Sequence, residues 1–464
     1  MFERFLKARK VARERQDLTR LIDDCRQLLT QRGESNSIAI AARAIGNYRG
    51  LAPESRAAFF DVLAAEFDPD PGELLMLAER YATTRSPENL IALARAAEPP
   101  RQELLRRLNL APEGTATIVA MRAALLARLR EDERLRAVDA DFQHLLSSWF
   151  NPGFLHLVKV DWRSPAYLLE KIIHYESVHE IQGWSDLRRR LEPDRRCFAF
   201  EHPMLPDEPL IFVEVALLPE MPGAIAPLLE APVAPDDEAG RFRVAVFYSI
   251  SNCQPGLRGV SLGNFLIKRV AQHLKAEFPQ LKTFCTLSPI PSLVGWLRRT
   301  ESISDDRLKP AQGQALNQAL AALRASHGED LGGLLDSVAE ASGASAPVEN
   351  GEEPADSGAP SLLDVLRPAR VDPDDAALQR LSAYYLWQSS AAGDRPSDPV
   401  ARFHLNNGAR LERLNLRADR SAKGVRQSAG MMVNYLYDLD EIEGNHEKFV
   451  NGEVAASRAV MSSF

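Results

Sequence analysis

A run of apolar residues from Val244 to Ile250 is followed by a turn containing proline and glycine and then by an amphipathic segment. Because the run is almost continuously apolar, it predicts a strand that is buried on both faces of a sheet. Beyond the turn, apolar residues recur at four-residue steps, which is the spacing of one helix face. These residues are Leu262, Leu266, Val270, Leu274 and Phe278. The sequence therefore predicts a strand, a turn and a helix in succession, and an α/β or α+β fold for this part of the chain.

The turn before this helix is predicted to bind an anion. A helix N-terminus presents unpaired backbone N–H groups and a partial positive charge, and glycine lets the backbone approach a pyrophosphate closely. The pattern lacks the G-x-G-x-x-G fingerprint of dinucleotide-binding loops, and a turn that only begins the helix is the alternative. The expected contacts come from the whole loop: Arg258, Gly259, Val260, Ser261, Leu262, Gly263 and Asn264.

Residues 1 to about 150 carry helical patterns and no strand-like alternation. Phe59, Leu63 and Phe67 repeat at four-residue steps, and Ser86 followed by Pro87 is typical of a helix start. We predict a bundle of α-helices over residues 1–150. It contains no catalytic constellation of its own, so oligomerisation is its expected role.

Strand-like alternation appears after residue 151. Strands are predicted at 154–160, 196–201, 210–218, 409–416 and 431–437, and a helix is predicted from Ser164, with that serine as its cap. The second domain is thus expected to span 151–464, with a helical and flexible insertion at about 300–395. Residues 341–361 are poor in large apolar groups and are interpreted as a linker.

Charge and motif content exclude several classes of protein. A formal net charge of −8 argues against nucleic acid as the main partner, and no apolar stretch is long enough to span a bilayer. The four cysteines are far apart and form no CxxC pair, so neither a disulfide framework nor a metal site is expected. The chain ends in Ser-Ser-Phe rather than the peroxisomal Ser-Lys-Leu, and the N-terminus does not resemble a signal peptide. A bacterial cytoplasmic protein is the resulting expectation.

Motifs in the second half of the sequence resemble those of two known protein families. The loop from Arg258 to Gly263 resembles the acyl-CoA loop of GNAT-type acetyltransferases, with Ser261 where a glycine usually stands. Longer motifs, in the same order, resemble the malonyl-CoA decarboxylase family: FYSIS (247–251), GLRGVSLGNFLIKRV (256–270), LSPIP (287–291), FHLNNGA (403–409) and GMMVNYLY (430–437). The resemblance implies a helical domain paired with a GNAT-like catalytic domain. It also implies malonyl-CoA and acetyl-CoA as ligands, no metal or organic cofactor, and a homotetramer.

The same resemblance implies a catalytic pair formed by Ser288 of LSPIP and His404 of HLNNG. Ser288 would hydrogen-bond the departing carboxylate or the thioester oxygen, and His404 would donate a proton. A free imidazole titrates near pH ~6.5, which suits such an acid. Tyr437 is expected near the acyl group. Taken alone, Ser288 before a proline is typical of a turn, and His404 and Tyr437 are also compatible with core packing.

Two other functions are compatible with these residues. A CoA-dependent acyltransferase on the same fold would need an acceptor site and a base that deprotonates an amine. A non-enzymatic CoA-binding scaffold would use Ser288 and His404 for packing only. Decarboxylation of malonyl-CoA to acetyl-CoA and CO2 is the function that the resemblance favours.

Overall fold

The computed structural model describes residues 2–30, 33–230, 240–260, 262, 266–340, 373–389 and 397–464. These residues group into two compact units. The first consists of Met1–Val158, Phe200–Ile211 and Asn252–Gly263, and the second of Lys159–Ala199, Phe212–Ser251 and Asn264–Phe464. The predicted linker at 341–361 lies outside the described residues. The predicted boundary at residue 150 stays a prediction, but two later segments, including most of the predicted anion loop, group with the helices.

The helical prediction for the N-terminal region is confirmed. Its helices are α1 (Phe2–Thr30), α2 (Glu34–Gly50), α3 (Pro53–Glu66), α4 (Pro71–Thr84), α5 (Pro87–Ala97), α6 (Pro100–Leu108), α7 (Gly114–Arg128) and α8 (Arg136–Trp149). Phe59, Leu63 and Phe67 are all buried, as their spacing predicts. Ser86 caps α5 by accepting a hydrogen bond from the Asn89 N–H at 3.2 Å. Prolines therefore account for where α3, α4, α5 and α6 begin, and an apolar face accounts for the packing of α3.

The remaining helices follow residue 160. They are α9 (Ala166–Tyr175), α10 (Trp184–Arg190), α11 (Ala226–Glu230), α12 (Leu266–Glu277), α13 (Leu293–Arg299), α14 (Pro310–His327), α15 (Gly332–Glu340), α16 (Pro373–Trp387), α17 (Pro399–Asn406), α18 (Ala422–Ser428), α19 (Ile442–Val450) and α20 (Arg458–Met461). The predicted cap at Ser164 is wrong. Helix α9 begins after Pro165, and the Ser164 hydroxyl instead accepts from the Asp161 N–H at 3.0 Å. Of the described helices, none is both long and apolar enough to cross a membrane.

One mixed sheet contains the strands of the described residues. They are β1 (His156–Val160), β2 (Arg195–Glu201), β3 (Ile211–Leu218), β4 (Val244–Asn252), β5 (Thr283–Thr286), β6 (Ser288–Pro289), β7 (Arg410–Asn415) and β8 (Met432–Leu436). The order is β1-β2-β3-β4-β5-β8-β6, and β7 pairs with β8. The predicted strand at 154–160 begins later, since residues 152–154 form a 3-10 helix. With eight helices before the sheet and a mixed α/β arrangement after them, the predicted fold class is confirmed.

The predicted strand, turn and helix occur in the predicted order, but Leu262 and Phe278, at the two ends of the predicted helical face, lie outside α12. The residues from Val244 to Tyr248 on β4 are all buried, as expected of a central strand. Helix α12 buries Leu266, Val270 and Leu274 and leads into β5, which pairs in parallel with β4. The three segments thus form a βαβ unit that carries the chain to Thr286 and Ser288.

Strand β8 then fixes the position of Ser288. Leu436 at one end of β8 pairs with Cys285 of β5, and Val433 near the other end pairs with Ser288 of β6. Both pairings are antiparallel. Strands β5 and β6 therefore both pair with β8. The backbone of Ser288 is held by its pairing with this strand.

A glycine ends the helix that precedes β7. Gly408 follows α17 with a φ of +80°, and a Cβ at this position would lie 2.1 Å from the carbonyl oxygen of Ile442 in α19. We expect Gly408→Ala to lower the free energy of unfolding by about 2 kcal/mol, because alanine disfavours this backbone conformation. Urea unfolding would measure the change.

Gly444 supplies the matched control for this prediction. It lies on the exposed side of α19, and a Cβ there would meet no atom within 4 Å. Gly444→Ala is therefore expected to be neutral, or stabilising by up to about 1 kcal/mol, because alanine is the better helix former. Equal unfolding midpoints for the two variants would contradict the assignment of strain to Gly408.

Candidate active site

Three residues predicted from the sequence form one buried hydrogen-bonded chain. The Ser288 Oγ lies 3.0 Å from His404 Nε2, and His404 Nδ1 lies 2.8 Å from the Tyr437 hydroxyl. Ser288 belongs to β6, His404 to α17, and Tyr437 follows the last residue of β8. Side chains 116 residues apart in sequence are thus brought into direct contact. All three are at least 96% buried, so water screens their interactions little.

Thr286 continues this chain beyond Ser288. The Ser288 hydroxyl donates to Thr286 Oγ1 at 2.9 Å, and the same oxygen accepts from the Tyr435 N–H at 3.2 Å. Thr286 is fully buried. The sequence analysis did not single out Thr286. Alternate residues of a strand share one face. The separation of two residues between Thr286 and Ser288 could therefore have predicted that their side chains lie close together.

The direction of these hydrogen bonds assigns the protons. A serine hydroxyl has one hydrogen, and that of Ser288 points to Thr286. Ser288 Oγ therefore accepts from the Nε2–H of His404. Because burial lowers the pKa of His404, the ring carries no second proton, and Nδ1 accepts from the Tyr437 hydroxyl. His404 is in consequence a neutral imidazole with its proton on Nε2.

Burial explains why His404 is neutral. The ring stacks on Tyr435, with centroids 4.5 Å apart and an angle of 27° between planes, and meets Tyr437 at an angle of 70°. Burial lowers the pKa of His404 to about 3, because the charged form loses its hydration. Burial likewise holds the pKa of Tyr437 well above its ordinary value, so its hydroxyl stays protonated. The titration near pH 6.5 expected for a free imidazole does not apply here.

Asp398 begins the helix that carries His404. One carboxylate oxygen accepts from the Val400 and Ala401 N–H groups at 2.9 and 3.2 Å, and the other accepts from the Ser292 N–H at 2.9 Å. Asp398 is fully buried, and burial raises its pKa to about 6 despite these three bonds. The carboxylate thus joins the turn after Ser288 to the N-terminus of α17. Its role was not predicted from the sequence, although aspartate before a helix-starting proline is a recognisable cap.

The predicted anion loop is described in part. Arg258, Gly259, Val260 and Leu262 are described, whereas Ser261, Gly263 and Asn264 lie outside the described residues. A 3-10 helix, Pro255–Leu257, precedes the loop, and Gly259 has a φ of +80°. Arg258 and Gly259 are exposed and Val260 is buried. Apart from Asn264, the predicted loop groups with the first compact unit, and Ser288, His404 and Tyr437 with the second. Anion binding by the loop stays a prediction.

Comparison with known proteins identifies the family. The family model "Malonyl-CoA decarboxylase C-terminal domain" matches residues 153–464, and "Malonyl-CoA decarboxylase N-terminal domain" matches residues 67–150. The mitochondrial malonyl-CoA decarboxylase of Mus musculus is 34% identical over 441 residues, which cover 89% of this chain and 83% of that protein. The corresponding protein of Anser anser anser is 32% identical over 444 residues, with 91% and 82% covered.

Two solved structures agree with this assignment. The malonyl-CoA decarboxylase of Rhodopseudomonas palustris is 46% identical, with a TM-score of 0.79, and the alignment covers 96% of this chain and 99% of that one. The malonyl-CoA decarboxylase of Agrobacterium vitis is 45% identical, with a TM-score of 0.76 and the same coverage. Both domains of the family are therefore present in one chain with the fold of its solved members. The chain belongs to the malonyl-CoA decarboxylase family, a family of carboxy-lyases, as its sequence motifs indicated.

Proposed function

We propose that the chain converts malonyl-CoA into acetyl-CoA and CO2, and that Ser288 and His404 carry the reaction. The observation that supports this proposal most is the buried contact of 3.0 Å between Ser288 Oγ and His404 Nε2. Both residues belong to motifs through which the sequence resembles the family. The loop from Arg258 to Asn264 is proposed to bind the phosphate groups of coenzyme A.

The reaction asks for hydrogen-bond donors and one proton. The bond between the carboxylate carbon and the α-carbon breaks, and its electron pair moves into an enolate whose charge rests on the thioester oxygen. CO2 leaves, and the α-carbon then takes a proton. Donors aimed at the developing oxyanion lower the barrier, and an acid completes the reaction. Ser288 is proposed to hydrogen-bond the carboxylate or the thioester oxygen, with its hydroxyl turning from Thr286 to the bound substrate, and His404 is proposed to supply the proton.

The neutral state of His404 suggests when that proton arrives. The free protein holds a neutral imidazole, because burial opposes its charged form. A malonyl carboxylate within hydrogen-bond reach would favour the imidazolium, because an opposite charge raises the pKa of a histidine. We infer that His404 becomes protonated together with substrate binding. This inference also agrees with the stoichiometry, since the reaction consumes one proton from solvent.

Tyr437 is proposed to orient His404 rather than to bind the acyl group. Its hydroxyl lies 2.8 Å from His404 Nδ1, which leaves the ring proton on Nε2, the nitrogen that contacts Ser288. A partner on one ring nitrogen generally decides which tautomer the other side presents. The direct contact with substrate that the sequence suggested for Tyr437 is not needed for this role.

Self-association is proposed for the helical region. The described side chains of α4 and α5 include no buried residue, and Leu75, Met76, Leu90 and Ile91 are exposed on them. Exposed large apolar residues grouped on a helical hairpin are a common feature of protein interfaces. A second copy of the chain is the proposed partner, and the family resemblance points to a tetramer.

Turnover of malonyl-CoA tests the proposed reaction and its residues together. The purified protein is expected to release acetyl-CoA and CO2. Ser288→Ala and His404→Ala are each expected to lower kcat by at least ~100-fold, because an oxyanion donor or the acid is lost. Acetyl-CoA formation and CO2 release would be followed for the three proteins.

Ser382→Ala is the matched control for these substitutions. Ser382 is equally buried, but its hydroxyl donates only to the Leu378 carbonyl within α16. Its removal is expected to leave kcat within about twofold, because local serine bonds contribute little to a helix. A protein that transfers acyl groups to an amine without CO2 release, or that only binds malonyl-CoA, would disprove the decarboxylase proposal. Near wild-type rates for the Ser288 or His404 variant would disprove that residue's role.

Thr286→Val tests the proton arrangement. Valine has the shape of threonine but cannot accept the Ser288 hydrogen bond, so the hydroxyl would turn toward His404 Nε2 and favour the other tautomer. We expect kcat to fall roughly tenfold with little change in KM, the scale of one lost hydrogen bond in a buried network. Thr286→Ser retains the acceptor and is expected to keep most of the activity. Equal kcat values for the valine and serine variants would rule out this role.

The pKa of His404 gives a prediction on stability. The folded chain stays neutral at this residue down to a pKa of about 3, whereas an unfolded chain takes up a proton near pH ~6.5. Stability is therefore lost as pH falls through this window, by about 2 kcal/mol at pH 5. Urea unfolding at pH 7 and pH 5 should show a loss that is about 2 kcal/mol smaller in His404→Gln than in the wild type, because buried His179, whose pKa is lowered to about 4, contributes equally to both proteins. His174→Gln, at an exposed position, is the control, and a pH effect equal in all three proteins would contradict the assignment.

A further inference from the structure

A buried arginine of the helical region binds the start of the predicted phosphate loop. Arg122 lies within α7, and its side chain is 2% exposed. Its Nη1 donates to the carbonyl oxygens of Gly256 at 2.9 Å and Arg258 at 2.7 Å. Its Nε donates to Asp139 of α8 at 2.8 Å. The buried guanidinium is thus compensated by a carboxylate and two carbonyl groups, which is the condition for placing a charge in the interior.

Two further contacts hold the same segment. The Nε2 of Gln143, also on α8, donates to the Gly259 carbonyl at 2.8 Å. Gly256 packs so closely on α7 that a Cβ would lie 1.9 Å from the carbonyl oxygen of Val119. Helices α7 and α8 therefore bind three carbonyl groups, of residues 256, 258 and 259, within one compact unit.

These contacts orient the backbone of the loop. In a trans peptide the C=O and the following N–H point in opposite directions. Since the Arg258 carbonyl faces Arg122, the Gly259 N–H points away from that guanidinium. Because Val260 N–H bonds to the Leu257 carbonyl at 2.9 Å, the next peptide is also fixed. Among the described residues of the loop, the Gly259 N–H is thus the backbone donor that the helices turn outward, whereas the Val260 N–H is used within the loop.

We propose that Arg122 and Gln143 are positioning residues that preorganise this loop for the phosphate groups of coenzyme A. Neither side chain needs to touch the ligand, because each acts through a loop carbonyl. The inference rests on the proposed function of the loop and extends it to the helical region, which the sequence analysis considered only for oligomerisation. A loop held in its binding conformation before the ligand arrives binds more tightly, since less ordering is required on binding.

The test separates phosphate binding from the chemistry. Arg122→Lys retains the charge but loses the planar fork that reaches two carbonyls and Asp139. We expect KM for malonyl-CoA to rise about tenfold, which corresponds to about 1.4 kcal/mol, while kcat changes less than about threefold. With malonyl-pantetheine, which lacks the nucleotide and its phosphates, the KM of this variant should equal that of the wild type. An unchanged KM for malonyl-CoA, or equal increases for both substrates, would overturn the proposal.

Gln143→Ala is the second variant that tests the loop, and Arg101→Lys is the control. Gln143 is only half-buried, so its alanine variant should fold even where Arg122→Lys does not, and its KM for malonyl-CoA should rise about threefold or more.

Arg101 is buried in the same bundle but pairs with Asp68 and Asp141 instead of the loop. Arg101→Lys should therefore destabilise the bundle without changing the KM ratio of the two substrates. A KM ratio shifted as far by Arg101→Lys as by the other variants would overturn the proposal.

A binding measurement with free coenzyme A tests the role of the loop separately from the proposed reaction. Calorimetry with free coenzyme A is expected to give a dissociation constant about tenfold higher for Arg122→Lys than for the wild type. Loss of affinity without any decarboxylation by the wild type would support the loop inference and disprove the reaction. Decarboxylation with unchanged coenzyme A affinity in both loop variants would disprove the inference alone.

Discussion

The pairing of three strands with β8 is the constraint on which the candidate site depends. Residues Met432–Leu436 pair with β5, β6 and β7. Asn434 reinforces these pairings from a fully buried position. Its Nδ2 donates to the Thr286 carbonyl at 2.8 Å, and its Oδ1 accepts from Asn415 Nδ2 at 2.8 Å. Tyr435 of β8 stacks on His404, and Tyr437, just beyond the end of the strand, hydrogen-bonds the same ring. One short strand thereby fixes Ser288 through its backbone and His404 through its side chains.

The charge of His404 depends on the groups that hydrogen-bond its ring. In a serine–histidine–aspartate triad, a carboxylate accepts from the imidazole and stabilises its charged form. Here the Tyr437 hydroxyl occupies that side of the ring, and it stays neutral because burial raises its pKa. The nearby carboxylate of Asp398 instead accepts three backbone N–H groups. The ring therefore has no anionic hydrogen-bond partner among the described residues, and the anion that favours its protonation would be the malonyl carboxylate itself.

Sequence information predicted the elements of the fold better than the partners of its polar groups. Strand β4 and the helices of the N-terminal region follow from apolar periodicity, and they are confirmed. Ser288, His404 and Tyr437 could be selected because they lie in long family motifs, yet their mutual contacts depend on a sheet register that periodicity does not specify. Asp398 and Ser164 both precede a proline, and only Asp398 caps a helix. Whether a polar side chain finds a helix N-terminus is decided by the local backbone, which residue type alone does not reveal.

The burial of Arg122 could not be predicted from the sequence, for a physical reason. An arginine in an amphipathic helix is normally interpreted as solvated, because burial of an unpaired guanidinium is unfavourable. Its burial depends on Asp139 and on the carbonyls of Gly256 and Arg258, which lie up to 136 residues away in sequence. Gly256 in turn approaches α7 this closely only because it has no side chain. The burial of this charge and the backbone conformation of residues 256–259 therefore depend on the same contacts, so substitutions in the helical region are expected to affect ligand binding.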